Sequence, residues 1–247
     1  MTNRRTFLLA AAAGALVPAA GLARVAGAAS GAWSAEALAI ARPVAQAVAR
    51  HPFVAGVFAG TLPRETLAGY LQQNLAYLDN YARVLDALSG RMNREGGPGG
   101  SAQSFSVWAQ ETRDLRTWTA DYILRLTGAK TLPDAAAEPA AQSYIAYESR
   151  YCADASPAAA VASALPCFLI WDEFGRALRP TARIEGNPFR EWVEGMGSEA
   201  AAQSARRILA IADHFAARES QAGRARMTDV FAAGCWHEWM FFDAMMR

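Results

Sequence analysis

From Ser34 onward, apolar residues recur at three- and four-residue steps, and no stretch alternates as a half-buried strand would. The pattern predicts helix after helix. Ser34 is positioned to cap a first helix towards Arg50, with Leu38, Ala41, Val44, Ala45 and Val48 on one face, before His51-Pro52 interrupts it. Phe53 to Phe58 reads as an apolar turn closed by Gly60. Thr61 and Pro63 then open the strongest helix, striped by Leu67, Tyr70, Leu71, Asn74, Leu75, Leu78, Tyr81, Val84, Leu85, Leu88 and Met92. Gly96 to Gly100 is a flexible connection, too short to separate domains.

A further helix carries Phe105, Trp108, Leu115, Trp118, Tyr122 and Leu126 to Gly128, and another carries Tyr144, Tyr147 and Tyr151. Ser156 and Pro157 have the chemistry of an N-cap and first helical position, which sets Pro166 inside the next helix beside Cys167. A proline there removes a backbone hydrogen bond and is expected to bend the helix next to the thiol. Asn187-Pro188 starts a short helix with Phe189, Trp192, Val193 and Met196, and Ser198 caps the following one. The last helix aligns Met227, Val230, Phe231, Gly234, Cys235, Glu238, Phe241, Phe242 and Met245. The expected fold is an all-α, single-domain bundle of about eight helices.

Two polar residues interrupt apolar stripes, Asn74 and Glu238. Burying an amide or carboxylate without a partner costs on the order of several kcal/mol, so each must find one. Either they serve the core, or their helices line a pocket with Cys167, giving a thiol, a carboxylate and tyrosines around a small ligand. A lone cysteine in an apolar run is by default a small core hydrophobe.

The first residues change the picture. Arg4 and Arg5 precede Phe7-Leu8-Leu9, a short alanine-rich apolar run and a small-residue stretch ending at Ala29. Residues 1–29 therefore read as a twin-arginine signal peptide, cleaved to leave a periplasmic domain over residues 30–247. The leader holds three arginines and no acid, so its loss takes the net charge from +1 to −2. No basic tract survives, which argues against nucleic acid and against membrane attachment after cleavage. Three cysteines make no disulfide framework. Cys152 and Cys235 are the possible pair.

Four segments in order, HPFVAGVFAGTLPRETLAGYLQQNLAYL from His51, SYIAY from Ser143, LPC from Leu165 and EWMFF from Glu238, resemble the TenA/thiaminase II proteins, with a haem-oxygenase-like fold. The resemblance covers nearly all of the mature chain. It implies hydrolysis of aminopyrimidines or thiamine-related heterocycles without a cofactor, by a homo-oligomer, tetramer or dimer. Position by position, Cys167 matches the nucleophile and Glu238 the proton-transfer carboxylate. Tyr77 and Tyr144 match pocket tyrosines, Phe241 an aromatic wall, and Glu173, Gly175 and Trp192 scaffold residues. Asn74 stands where the family has an aspartate that binds the pyrimidine, Trp171 and Met196 replace pocket tyrosines, and Phe242 replaces a tryptophan. The catalytic pair persists while the substrate-reading shell has changed.

Three function classes follow: a cysteine-dependent hydrolase with an altered pocket, a non-catalytic binder of a small aromatic ligand, and a metal or haem oxidase on the same scaffold. Metal spacing is poor. His51, His214 and His237 form no Glu-x-x-His pair, His214 reads as surface, and His237 is expected to point to another face from Glu238, at the surface or backing the site.

Overall fold

In the computed structural model, residues 31–134, 137–154 and 156–246 are described; the expected leader lies outside them. Among these residues there are nine α-helices and no strand. They are α1 (Trp33–Ala49), α2 (Pro52–Ala59), α3 (Arg64–Arg94), α4 (Ser101–Thr127), α5 (Pro139–Asp154), α6 (Pro157–Leu178), α7 (Arg190–Gly195), α8 (Glu199–Ala216) and α9 (Gln221–Asp243). A single apolar core runs through all nine.

The helix at the centre is α6. Every residue from Ala158 to Asp172 is buried, and the helix packs against α1, α3, α5, α8 and α9. A helix apolar on all sides must be enclosed. By length and composition the segment Pro157–Thr181 could cross a membrane, but 94% of its most apolar window is buried inside the bundle. Ser156 caps it by accepting from the Ala159 N–H at 3.2 Å, with Pro157 in the first turn. The helix runs unbroken through Pro166.

Glycines let backbones approach at two places along α6. A Cβ on Gly234 of α9 would lie 2.5 Å from the Pro166 ring and 2.8 Å from the Tyr147 hydroxyl. At the other end, a Cβ on Gly175 would meet the Gly197 nitrogen at 2.7 Å, and Gly197 itself has φ +61°. Neighbouring chains therefore approach closely both where α5, α6 and α9 meet and where α6 meets the turn before α8.

Three local expectations are corrected. Phe53 to Phe58 is part of a genuine two-turn helix, α2, which accounts for the ninth helix. His51 starts it by accepting the Phe53 N–H on Nδ1 at 3.2 Å, Pro52 fits the first turn, and Gly60 ends it in the left-handed region at φ 72°. Ser34 does not cap α1, which starts at Trp33; its N–H and hydroxyl both bond the Asp213 carboxylate of α8, at 2.7 Å each. A tertiary partner has replaced the local one. Cys152, Cys167 and Cys235 are all free and buried, so Cys152 and Cys235 are not paired.

Gly234→Ala is expected to cost about 1–3 kcal/mol by overpacking Pro166 against Tyr147. Gly69→Ala, on α3 with open space around the added methyl, is expected to gain about 0.5–1 kcal/mol from helix propensity. Thermal melts of the two variants should shift in opposite directions; a neutral Gly234→Ala would contradict the close approach.

Candidate active site

At the junction of α3, α5, α6 and α9, a fully buried carboxylate sits among aromatic rings. Glu238 of α9 accepts from the Tyr144 hydroxyl on Oε1 at 2.8 Å and from the Trp171 indole on Oε2 at 3.2 Å. The donors come from α5 and α6, so three helices are locked by one side chain. Burial pushes the Glu238 carboxyl up to about 7, against the lowering effect of Tyr144 and Trp171. A carboxyl poised there can both give and take a proton near neutrality.

Cys167, one residue after Pro166, is buried within the electrostatic reach of Glu238. Burial first and Glu238 second raise its thiol well above the usual range, while hydrogen bonding with Tyr77 and Tyr81 lowers it. The Cys167 side chain is therefore a neutral thiol. Tyr81 donates to the Ala164 carbonyl at 2.8 Å.

Around this pair the tyrosines form a stack. Tyr77 lies on Tyr144 with ring centroids 4.9 Å apart, and on Tyr81 at 5.5 Å. Phe241 packs edge-on against both Tyr77 and Tyr70, at 6.0 and 5.9 Å. Asn74 lies between Tyr70 and Tyr77 on the buried stripe of α3. Both ends of its amide, and the Tyr70 hydroxyl, are buried with no hydrogen-bond partner among the described residues. Trp171 packs on Trp192, whose indole nitrogen is likewise unpartnered.

Of the residues singled out from sequence, direct hydrogen bonds join Glu238, Tyr144 and Trp171, and ring contacts bring in Tyr77 and Phe241. Met196 is buried at the end of α7, but its defined contact is through its carbonyl, which accepts from Arg179 at 2.8 Å. Nothing ties its side chain to Glu238.

The sequence reading passed over one buried acid. Glu148 of α5 is a second fully buried carboxylate, accepting from the Tyr77 hydroxyl at 3.0 Å and, more weakly, from Asn80 at 3.5 Å. Desolvation raises it well above the usual carboxylate range. Its position four residues after Tyr144 puts it on the same helix face, and that spacing was the available signal. His237, expected on another face from Glu238 at the surface or backing the site, is half-buried. It stacks on Tyr144 at 5.3 Å and 6°, and on Tyr147 at 4.8 Å, and burial lowers its imidazole to about 4, so it is neutral at pH 7. No group of three or more His, Cys, Asp or Glu side chains among the described residues is arranged to hold a metal ion.

The pH dependence of stability checks the carboxylate. Folded Glu238 keeps its proton to about pH 7, whereas unfolded it releases it near 4.5. Relative to Glu238→Gln, the protein should therefore lose about 3 kcal/mol of stability as pH rises from below 4.5 to above 7. Comparing the two melts at each pH cancels the opposite contribution of His237 at acid pH. A gap that stays constant from pH 4.5 to 8 would contradict the shift.

The sequence model of the TENA/THI-4/PQQC family matches residues 38–95 and 124–247. The aminopyrimidine aminohydrolase of Bacillus subtilis (strain 168) is 24% identical over 205 residues, covering 80% of this chain and 82% of the relative. That of Halalkalibacterium halodurans is 25% identical over 208 residues, covering 82% and 90%. Among solved structures, a TenA homologue from Pyrococcus furiosus superposes with a TM-score of 0.76 at 16% identity, over 86% of this chain and 99% of that one. A TenA family protein from Silicibacter sp. TM1040, described as a transcription regulator, also gives 0.76, at 18% identity over 88% and 98%. The helical order, the matched segments and the superpositions agree: the chain belongs to the TENA/THI-4/PQQC family and has the TenA fold.

Proposed function

We propose that this protein is a cysteine-dependent hydrolase of an aminopyrimidine or a thiamine-related heterocycle, with Cys167 as nucleophile and Glu238 as the group that moves protons. The observation that carries the reading is the buried junction itself: a thiol beside a proline, and a carboxyl near pKa 7 held by two donors, under a stack of tyrosines. The two aminopyrimidine aminohydrolase relatives support the same class.

For an aminomethyl-pyrimidine the net change is R–CH2–NH2 + H2O → R–CH2–OH + NH3. Sulfur adds to an electron-poor ring carbon, and the aminomethyl C–N bond breaks as Glu238 supplies a proton to the departing ammonia. Water then adds at the methylene carbon and yields its proton back to the carboxylate. Loss of sulfur restores the aromatic ring. The thiol, raised by burial, passes its proton to the Glu238 carboxylate as substrate arrives, which readies that carboxyl to protonate the departing ammonia, and takes it back when sulfur leaves the ring. Tyr77, Tyr144 and Phe241 supply flat apolar surface for the ring, and Asn74 reads its polar edge.

A second reading, a binder that does not consume its ligand, is favoured by Asn74, which offers no charge to hold a protonated ring. The leader with Arg4 and Arg5 supports export by the twin-arginine route, and the family resemblance supports a homo-oligomer.

Purified protein lacking residues 1–29 and kept reduced is expected to release ammonia from 4-amino-5-aminomethyl-2-methylpyrimidine. Cys167→Ser should abolish release while leaving binding largely intact. Equal release by the variant rejects cysteine catalysis; no release from folded protein that still binds the pyrimidine supports the binder. Asn74→Asp should raise the rate if the lost charge limits it, and no gain would place the limit in the other replaced residues. Full-length protein with Arg4 and Arg5 changed to lysine should accumulate in the cytoplasm on fractionation; undiminished periplasmic protein would reject the twin-arginine route.

A further inference from the structure

Tyr144 is gripped by two consecutive residues of α9. Glu238 accepts its hydroxyl at 2.8 Å, and His237 lies flat on its ring, with centroids 5.3 Å apart and planes 6° from parallel. Neighbouring residues on a helix point about 100° apart, so one reaches the face of the ring while the other reaches its oxygen. His237 is itself wedged in place. The Tyr147 ring lies 4.8 Å from it, and the Tyr147 hydroxyl is anchored to the Val230 carbonyl of the same helix α9.

The Tyr144 ring also meets Tyr77 of α3, at 4.9 Å and 29°. Tyr77 and His237 come from different helices and make no ring contact with each other among the described residues, so the Tyr144 ring stands between them. The imidazole Nδ1 is buried with no hydrogen-bond partner among the described residues. The contact is therefore made by the shape of the ring and not by that nitrogen. A phenol oxygen lies on the long axis of its ring and moves when that axis tilts. A ring packed on both faces cannot tilt out of its plane, and a hydrogen bond weakens steeply once its alignment is lost.

We propose that His237 is a positioning residue for Glu238: by closing the face of the Tyr144 ring that Tyr77 leaves open, it holds the Tyr144 hydroxyl on the carboxyl. This rests on Glu238 being the group that moves protons in the proposed reaction. Position 237 needs a flat ring there and no charge. No bond is made or broken by His237 itself.

The titratable groups that feel the Glu238 charge are Tyr70, Tyr77 and Tyr81 from α3, Tyr144 and Glu148 from α5, Cys167 from α6 and Cys235 from α9. All but Glu148 are phenols or thiols that burial raises further. His237, lowered to about 4 by burial, stays neutral above that pH. Between pH 5 and 8.5 the two carboxyls are thus the groups of this set that can change charge, and Glu148 is common to every pair of proteins compared below.

The test uses no substrate, so its outcome is independent of whether an aminopyrimidine is turned over. Stability is measured from pH 5 to 8.5 for the protein and for Glu238→Gln, each with and without His237→Leu. Within a pair, the advantage of Glu238 falls as pH rises and levels off once the folded carboxyl has ionised, at about pH 7 with His237 in place. Leucine fills the space without a flat face, so with His237→Leu the levelling point should rise by about one pH unit as the carboxylate loses a donor. His237→Phe should bring it back to about pH 7. His237→Gln, of similar length and without a ring, should behave as leucine does and replaces it if that variant folds poorly. A levelling point that leucine and glutamine leave unmoved or lower, or that phenylalanine fails to restore, would overturn the inference. In a Tyr144→Phe background the point should already be raised, and His237→Leu should move it no further. An equal shift there would overturn the route through the Tyr144 hydroxyl.

Discussion

The carboxyl of Glu238, buried where three helices meet, is the group the rest of the site depends on. Apolar surroundings oppose its ionisation, and the two donors that approach it, Tyr144 and Trp171, favour it. The balance lands near neutrality because both forces are large. Remove a donor and the acid becomes too weak to ionise; admit water and it becomes an ordinary surface carboxyl. Proton transfer at this place therefore requires the packing of α5, α6 and α9 to be as close as it is.

That packing is set by small residues rather than by large ones. Gly234 lets the Pro166 ring and Tyr147 approach α9, and the Tyr147 hydroxyl reaches the Val230 carbonyl. Gly175 and Gly197 bring the other end of α6 against the turn before α8, backbone to backbone. Between these two contacts Cys167 and Trp171 lie one turn apart on a helix enclosed on all sides, so the sulfur and the indole have fixed directions. A proline next to Cys167 is tolerated because its neighbours, and not its own hydrogen bond, hold the backbone there.

The fold was largely legible because its helices carry unbroken stripes, and the exceptions are short or tertiary. Phe53 to Phe58 is too brief for a period to show, so a two-turn helix looked like a turn. Ser34 had the chemistry of a cap, but Asp213, remote in sequence, competes for it. In the site, Asn74 and Glu238 stood out because each interrupts a clean stripe. Glu148 did not, since α5 mixes Gln142, Glu148 and Arg150 with its tyrosines and an extra acid there resembles a solvated face. For His237 the sequence left open whether it is at the surface or backs the site, because α9 alone does not show what its other face meets. The rings of Tyr144 and Tyr147 extend the buried surface by one more residue.

Asn74 and Glu148 together change how charge is distributed around a bound ring. A carboxylate at position 74 would accept two hydrogen bonds and favour a ring that is protonated; the amide gives one and takes one, and both of its ends are buried and unpartnered among the described residues. Its complement is an edge that carries a donor beside an acceptor, such as an amino group next to an unprotonated ring nitrogen. The acid missing at position 74 has a counterpart in Glu148 on α5, which accepts from the Tyr77 hydroxyl and is raised well above the usual carboxylate range by burial. Position 74 thus offers hydrogen bonds without a charge, and the acid of α5 bears on Tyr77 instead.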